Sequence, residues 1–260
     1  MSFFQSILLG ITQALTEFLP ISSSAHLKIL KHFLGVSAEE SGVLLDLSCH
    51  LGTLVALMLF LRKDIITLFF KEPKKLGLFF IAMLPLLPFY FLLKPLREWA
   101  SATHLLGFCL MGTGLILLAG QFLSMTRSEN KGLYRKVRDV LMIGTMQSAA
   151  LIPGISRSAS TISCARILGW TPKEAVRFSF LLSIPTVLAG NLWEFLKAAS
   201  HAEQSIQVPM LSLTAAFGAS FFVGLFCVRK AIEWLEKGNL KPCAWYCLAL
   251  GALATLYFNL

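Results

Sequence analysis

The chain has 260 residues, of which 56% are hydrophobic and only 14% charged, and its mean hydropathy is +0.70. Soluble domains carry about 25% charged residues, so this composition excludes a soluble globular domain, and equally a disordered, collagen-like or coiled-coil chain. The net charge of +9 arises without basic clusters interleaved with stacking aromatics, so it points to basic loops flanking membrane spans and away from nucleic acid as a partner.

In chain order, the first apolar region is residues 3–33. It is interrupted at Pro20 and the triple serine Ser22-Ser23-Ser24. Its first basic residue is Lys28, so the apolar start lacks the positive flank of a secretory signal. Apolar runs follow at 43–61, 76–93 and 104–123, each near the 20 or so residues that span hydrocarbon as a helix. Pro85 and Pro88 are expected to bend the second of these. A second interrupted region, 139–168, breaks at Pro153-Gly154 and continues into Ser156-Arg157-Ser158. Three more runs come after it, at 178–197, 209–228 and 243–258.

A break at membrane depth exposes backbone polar groups and is tolerated only where protein or a wet cavity covers it. The pattern therefore predicts an all-α polytopic membrane protein with six transmembrane helices plus two re-entrant helical hairpins, at roughly 3–33 and 139–168. It forms a single integral membrane domain over 1–260. Most of the lysines and arginines fall in 62–75, 124–138, 166–177 and 229–242, among them Arg62, Lys74, Arg127, Lys131, Arg135, Arg177 and Arg229. The opposite segments 28–42, 94–103 and 198–208 hold few, so the first set is expected inside. The halves, roughly 1–125 and 135–260, then run in the same order with opposite sign. Gly10-x-x-Gln13 before Pro20-Ile-Ser-Ser-Ser is echoed by Gly144-x-x-Gln147 before Pro153-Gly-Ile-Ser-Arg-Ser. This predicts an inverted-topology repeat whose broken helices meet near the midplane and form a site. The six cysteines (Cys49, Cys109, Cys164, Cys227, Cys243 and Cys247) lie in or beside apolar runs without a CxxC pair, and read as small buried apolar residues.

Two constellations carry chemistry. Gln13 and Glu17 are four apart and share one helix face, with Ser22 and Ser23 at the break and His26 three residues beyond Ser23. An ionisable residue at membrane depth usually faces a cavity or a partner. In the second break, Gly154 permits backbone conformations closed to other residues, and Ser156 or Ser158 can cap the helix that follows. Free N–H groups at a helix start, the hydroxyls of Ser156, Ser158 and Thr161, and the guanidinium of Arg157 together make an anion cradle suited to phosphate. One hairpin supplies carboxylate, hydroxyl and imidazole, and the other a phosphate receptor. The combination suits phosphoryl transfer to water from a substrate with a lipid tail. The competing class is a secondary transporter or flippase for a phosphorylated lipid or other anion, in which the same hairpins bind but do not cleave. A serine-type intramembrane protease is weaker, because no Gly-x-Ser-x-Gly elbow is present.

These residues resemble the undecaprenyl-diphosphate phosphatases of the bacitracin-resistance type, over essentially the whole chain. The resemblance rests on Gln13…Glu17-Phe18-Leu19-Pro20-Ile21-Ser22-Ser23-Ser24-Ala25-His26 and on Pro153-Gly154-Ile155-Ser156-Arg157-Ser158-Ala159-Ser160-Thr161, with Asp46-Leu47-Ser48-Cys49-His50-Leu51-Gly52-Thr53 as a further similar segment. Gln13 stands where many members carry Glu. The resemblance implies hydrolysis of undecaprenyl diphosphate to the monophosphate and inorganic phosphate, recycling the lipid carrier for peptidoglycan synthesis and conferring bacitracin resistance. It implies a multi-pass protein of the bacterial plasma (inner) membrane with a site opening to the outer, periplasmic side. It makes Glu17, Ser23, His26, Ser156, Arg157 and Thr161 the working residues.

The expected division of labour follows. Arg157, Ser22, Ser156, Ser158 and Thr161 bind the phosphates, with Gln13 and Gly154 in support. Ser23, His26 or a water attacks phosphorus, and His26 shuttles the proton. Glu17 orients His26 or holds Mg²⁺ or Ca²⁺ against the phosphates, since Mg²⁺ needs only one or two carboxylates plus substrate oxygens. No organic cofactor is expected. The expected partners are a polyprenyl diphosphate and the lipid bilayer, with a homodimer as the candidate assembly.

Overall fold

The computed structural model describes residues 2–36, 38–125, 133–200 and 208–260, and Arg127, Lys131 and much of the expected outer segment 198–208 lie outside them. The Lys74 and Arg135 side chains likewise lie outside the described set. Every regular element among the described residues is helical, with no strand.

Helix α1 spans Phe3–Glu17 and starts from a capping box, in which the Ser2 hydroxyl accepts from the Gln5 N–H and the Gln5 side chain returns to the Ser2 N–H. It stops short of Pro20, which cannot donate to a helix and pushes Leu19 out of the α region. Helix α2, Ser23–Phe33, begins directly after the break. Then come α3 (Ala38–Phe60), α4 (Arg62–Phe70), α5 (Pro73–Met83), α6 (Leu86–Leu92), α7 (Lys94–Trp99) and α8 (Leu106–Phe122). The second half runs α9 (Leu133–Ser148), a 3₁₀ turn at Ala149–Leu151, α10 (Arg157–Ile167), α11 (Pro172–Ser200), α12 (Met210–Leu235) and α13 (Lys241–Asn259).

Both interrupted regions are helix–break–helix units, as expected. The bend expected in 76–93 is the gap between α5 and α6 at Leu84-Pro85, while Pro88 sits inside α6 without ending it. Two segments read as connections contain the short helices α4 and α7. Five segments are long and apolar enough to cross a membrane: Val43–Phe60, Lys75–Leu92, Thr103–Phe122, Pro172–Ser200 and Met210–Leu235. Large exposed apolar side chains such as Phe70, Phe91, Leu115, Phe222 and Phe226 cover the outside, as a multi-pass membrane protein requires of lipid-facing positions. The six cysteines are free, and four of them are buried.

Glycine lets the helices approach closely. A Cβ at Gly10 of α1 would strike the Ala216 carbonyl of α12, and one at Gly144 of α9 would strike the Ala82 carbonyl of α5. Helix α8 packs lengthwise on α13, where Gly107 and Gly251 each face the other's carbonyl. The main apolar core includes Phe18, Leu57, Phe79, Leu117, Ile143, Ile162, Phe180 and Leu182. It gathers around both breaks and holds them together.

Candidate active site

The break in the first hairpin is a strained turn. Ser22 has φ 67 and ψ 88, and it is the one non-glycine with positive φ among the described residues. That conformation costs a non-glycine roughly 1–2 kcal/mol, so the surroundings must hold it. Its consequence is positional. Glu17 closes α1 and Ser23 opens α2, and the turn brings the Ser23 hydroxyl to 2.6 Å from Glu17 Oε2, to which it donates. Gln13, one helical turn before Glu17, donates from Nε2 to the same oxygen at 3.0 Å and to His50 Nδ1 at 2.7 Å. His50 Nδ1 lies 3.8 Å from Glu17 Oε2.

The second break is built around Gly154, at φ 97, where a Cβ would collide with Cys109 Cβ of α8. Thr113 of α8 pins this loop from both sides. Its hydroxyl donates to the Gly154 carbonyl at 2.9 Å and accepts from the Ser156 N–H at 3.0 Å. Ser156 is the N-cap of α10, accepting from the Ala159 N–H at 3.2 Å. The first residue of α10 is Arg157, and its Nη2 donates to Glu17 Oε1 at 2.7 Å.

The two interrupted regions therefore meet at one carboxylate. Glu17 Oε1 takes the arginine of one region, and Oε2 takes the serine and glutamine of the other. The pair is largely buried, with side-chain exposures of 20% for Arg157 and 11% for Glu17. Arg157 Nη1 is buried without a protein partner, as is Gln13 Oε1. A buried charged donor left unpaired is costly, and a phosphate oxygen in the adjoining cleft is the partner that would satisfy it. That cleft has a volume of about 220 Å³ and is lined by Glu17, Ser22, Ser23, Ser24, His50, Gln147, Ser156, Arg157 and Ser158 among others. Glu17 and Arg157 also border a much smaller cavity of about 20 Å³, lined by Phe18, Leu54, Leu57, Phe180, Ser179 and Ser183 among others.

Gln13, Glu17, Ser22, Ser23, Gly154, Ser156, Arg157 and Ser158 thus come together as the sequence predicts. Two expectations need correcting. His26, expected to shuttle the proton, is not among the residues lining the cleft. Its ring turns toward α13, with Nδ1 at 2.8 Å from the Ser22 carbonyl and Nε2 at 2.8 Å from the Tyr246 hydroxyl. Glu17, expected to orient His26, instead holds the Ser23 hydroxyl. Thr161 does not face the cleft either. It is buried one turn behind Arg157, where its hydroxyl bonds the Arg157 carbonyl at 2.9 Å and the Ser179 hydroxyl at 2.6 Å. It braces the arginine's helix turn.

His50, Ser24 and Gln147 line the cleft without having been singled out as site residues. His50 was legible in principle. It is an imidazole inside the apolar run 43–61, and the argument that drew attention to Glu17 applies to it equally. Among the described residues no group of three or more His, Cys, Asp or Glu side chains could hold a metal ion by itself.

The sequence matches the family described as bacitracin resistance protein BacA over residues 6–253. It is 36% identical to the undecaprenyl-diphosphatase of Protochlamydia amoebophila (strain UWE25), covering 100% of both chains. It is 34% identical to the undecaprenyl-diphosphatase of Geobacter sulfurreducens, covering 99% of this chain and 98% of the relative. With that of Halothermothrix orenii the identity is 32%, over 97% of each chain.

Proposed function

The chain belongs to the bacitracin resistance protein BacA family, and from that membership we propose that its site hydrolyses undecaprenyl diphosphate to undecaprenyl phosphate and inorganic phosphate. The reaction returns the lipid carrier to peptidoglycan synthesis and lowers sensitivity to bacitracin. The observation that carries the reading is the contact between the Ser23 hydroxyl and Glu17 Oε2, at 2.6 Å, beside a buried arginine with an unpartnered donor.

In the mechanism we propose, the diphosphate enters the cleft and its terminal phosphate takes Arg157 Nη1 and the Ser156 and Ser158 hydroxyls. The hydroxyls of Ser22 and Ser24, themselves 3.2 Å apart, contribute from the opposite wall. Ser23 Oγ attacks the terminal phosphorus as its proton passes to Glu17 Oε2. The bond between that phosphorus and the bridging oxygen breaks, and undecaprenyl phosphate leaves with the electron pair. Glu17 passes the Ser23 proton to the departing undecaprenyl phosphate and is again a carboxylate. Water then attacks the phosphoserine as Glu17 takes a proton from it, and Glu17 returns this proton to Ser23 Oγ as inorganic phosphate departs. Arg157 stabilises the charge on the transferring phosphoryl group throughout. The two ring nitrogens of His26 are engaged elsewhere, so nucleophile and base are assigned to Ser23 and Glu17. A transporter has no use for a carboxylate bonded to a hydroxyl at the phosphate-binding end.

A divalent cation fits the site in one way. Gln13 Oε1 is a buried oxygen without a partner, on the amide whose Nε2 donates to Glu17 Oε2. With substrate phosphate oxygens these two would hold Mg²⁺ or Ca²⁺. The ion would supply charge neutralisation on the diphosphate.

We read the architecture as six spans, α13 being the last, with two re-entrant hairpins in an inverted repeat. Three correspondences support it. Helix α1 packs on α12 through Gly10 as α9 packs on α5 through Gly144. Ser22 and Ser24 share a hydroxyl contact at 3.2 Å, and so do Ser156 and Ser158. Helices α8 and α13, the last of each half, pair with one another. An outward-opening cleft in the inner membrane is supported by its lining, which takes Leu86 and Val187 from stretches running away from the basic segments. The homodimer stays a proposal without structural support.

Phosphate release from purified, detergent-solubilised protein given undecaprenyl diphosphate tests the assignment. Steady release by the wild type and its loss in Arg157→Ala are expected. Binding without release would return the protein to the transporter class.

A further inference from the structure

His26 and Tyr246 lie 220 positions apart, and their rings stack with centroids 5.6 Å apart and planes 8° from parallel. The hydrogen bonds of the imidazole fix its protons. Nδ1 faces the Ser22 carbonyl, which can only accept, so Nδ1 carries the hydrogen. A neutral ring then has a bare Nε2, and the Tyr246 hydroxyl is the donor to it. The chain of contacts continues in one direction. The carbonyl that His26 grips belongs to Ser22, the residue in the left-handed conformation, and the next residue is Ser23, whose hydroxyl rests on Glu17.

We propose that Tyr246 is a positioning residue for the nucleophile. Its hydroxyl donates to Nε2 and so holds the imidazole with Nδ1 on the Ser22 carbonyl, and this clamp holds the turn that aims Ser23 at phosphorus. Tyr246 does not line the cleft. Its influence therefore falls on the alignment of Ser23 and leaves substrate binding alone. It also ties the first hairpin to α13, an element of the other half of the chain, so the nucleophile of one half is set by a hydroxyl of the other. The kinetic part of this inference rests on the phosphatase reading, whereas the proton positions do not.

The test has two arms on the full-length protein in detergent. In protein labelled with ¹⁵N-histidine, with the His26 signals assigned by their loss in His26→Gln, wild type shows a protonated Nδ1 and an unprotonated Nε2. Tyr246→Phe keeps the stacked ring and removes the donor. It shifts the Nε2 resonance toward that of an imidazole nitrogen without a donor, lowers the kcat for undecaprenyl diphosphate by about tenfold, equivalent to one hydrogen bond's worth of transition-state alignment, and leaves KM unchanged. A wild-type His26 with protonated Nε2, or wild-type kcat in Tyr246→Phe, overturns the proposal. Where Tyr246→Phe fails to fold, the wild-type spectrum alone decides. Absence of phosphate release from wild type would defeat the phosphatase reading, and the spectrum would still test Tyr246.

Discussion

Arg157 Nη2 and Glu17 Oε1 stand 2.7 Å apart although 140 positions separate them in the chain. Neither charge is tenable alone at that depth, since an unpaired buried charge is strongly destabilising. The ion pair therefore locks the two breaks into one site. The second guanidinium nitrogen is left without a partner, and in the proposed mechanism it receives the phosphate.

Arg157→Ala removes both functions. Activity should fall by about 10²–10³-fold or more, the range for losing one preorganised donor to transition-state charge. Stability should fall by about 3–5 kcal/mol, because Glu17 is left buried and uncompensated. Arg157→Lys restores the charge but not the fork. It should recover most of the stability, read by thermal unfolding in detergent, and little of the phosphate release.

Glu17→Gln is the complementary case. The single amide oxygen can still accept from Arg157. The amide NH₂ can no longer accept from Ser23 and Gln13, and Arg157 loses its counter-charge, so stability should also fall, as read by thermal unfolding in detergent. The amide cannot take the Ser23 proton, and phosphate release should drop by about 10²–10⁴-fold, as for loss of a general base. Substrate binding, measured by competition with a non-hydrolysable diphosphonate analogue, should change by less than the rate does.

Gly154→Ala tests the second break. The φ of 97 is closed to alanine, and the new methyl would meet Cys109 Cβ. The strain alone should lower stability by about 1–2 kcal/mol, and the displaced loop should lower activity further. Cys109→Gly in the same chain should relieve the collision but not the strain, giving partial recovery.

The proposed cation gives a chelator prediction. EDTA should suppress phosphate release and Mg²⁺ or Ca²⁺ restore it. Gln13→Ala, which deletes the orphan oxygen, should raise the cation concentration needed for half-maximal activity. Release indifferent to EDTA would remove the cation and leave Gln13 as a hydrogen-bond donor to Glu17 and His50.

Much of this was legible in the sequence because proline and glycine act locally. Pro20 and Pro153 mark the two breaks, and the polar residues clustered there have no other reason to lie in apolar sequence. Longer-range relations were not legible. The ring of His26 could turn to Ser23 or away from it, and a tyrosine from the last helix decides which. Thr161 has the right spacing for a phosphate-facing hydroxyl, but Ser179 of α11 claims it. His50 reaches Glu17 only because α3 returns past α1, a packing relation that no local pattern encodes.

The account's centre is that Ser23, relieved of its proton by Glu17, attacks a phosphorus held by Arg157. Quenching the enzyme in SDS at neutral pH during turnover of undecaprenyl diphosphate labelled in the terminal phosphate, followed by peptide mapping, tests this most directly. The account predicts the labelled phosphoryl group on Ser23, and neither label nor turnover in Ser23→Ala. Label on His26, or wild-type turnover by Ser23→Ala, would contradict it.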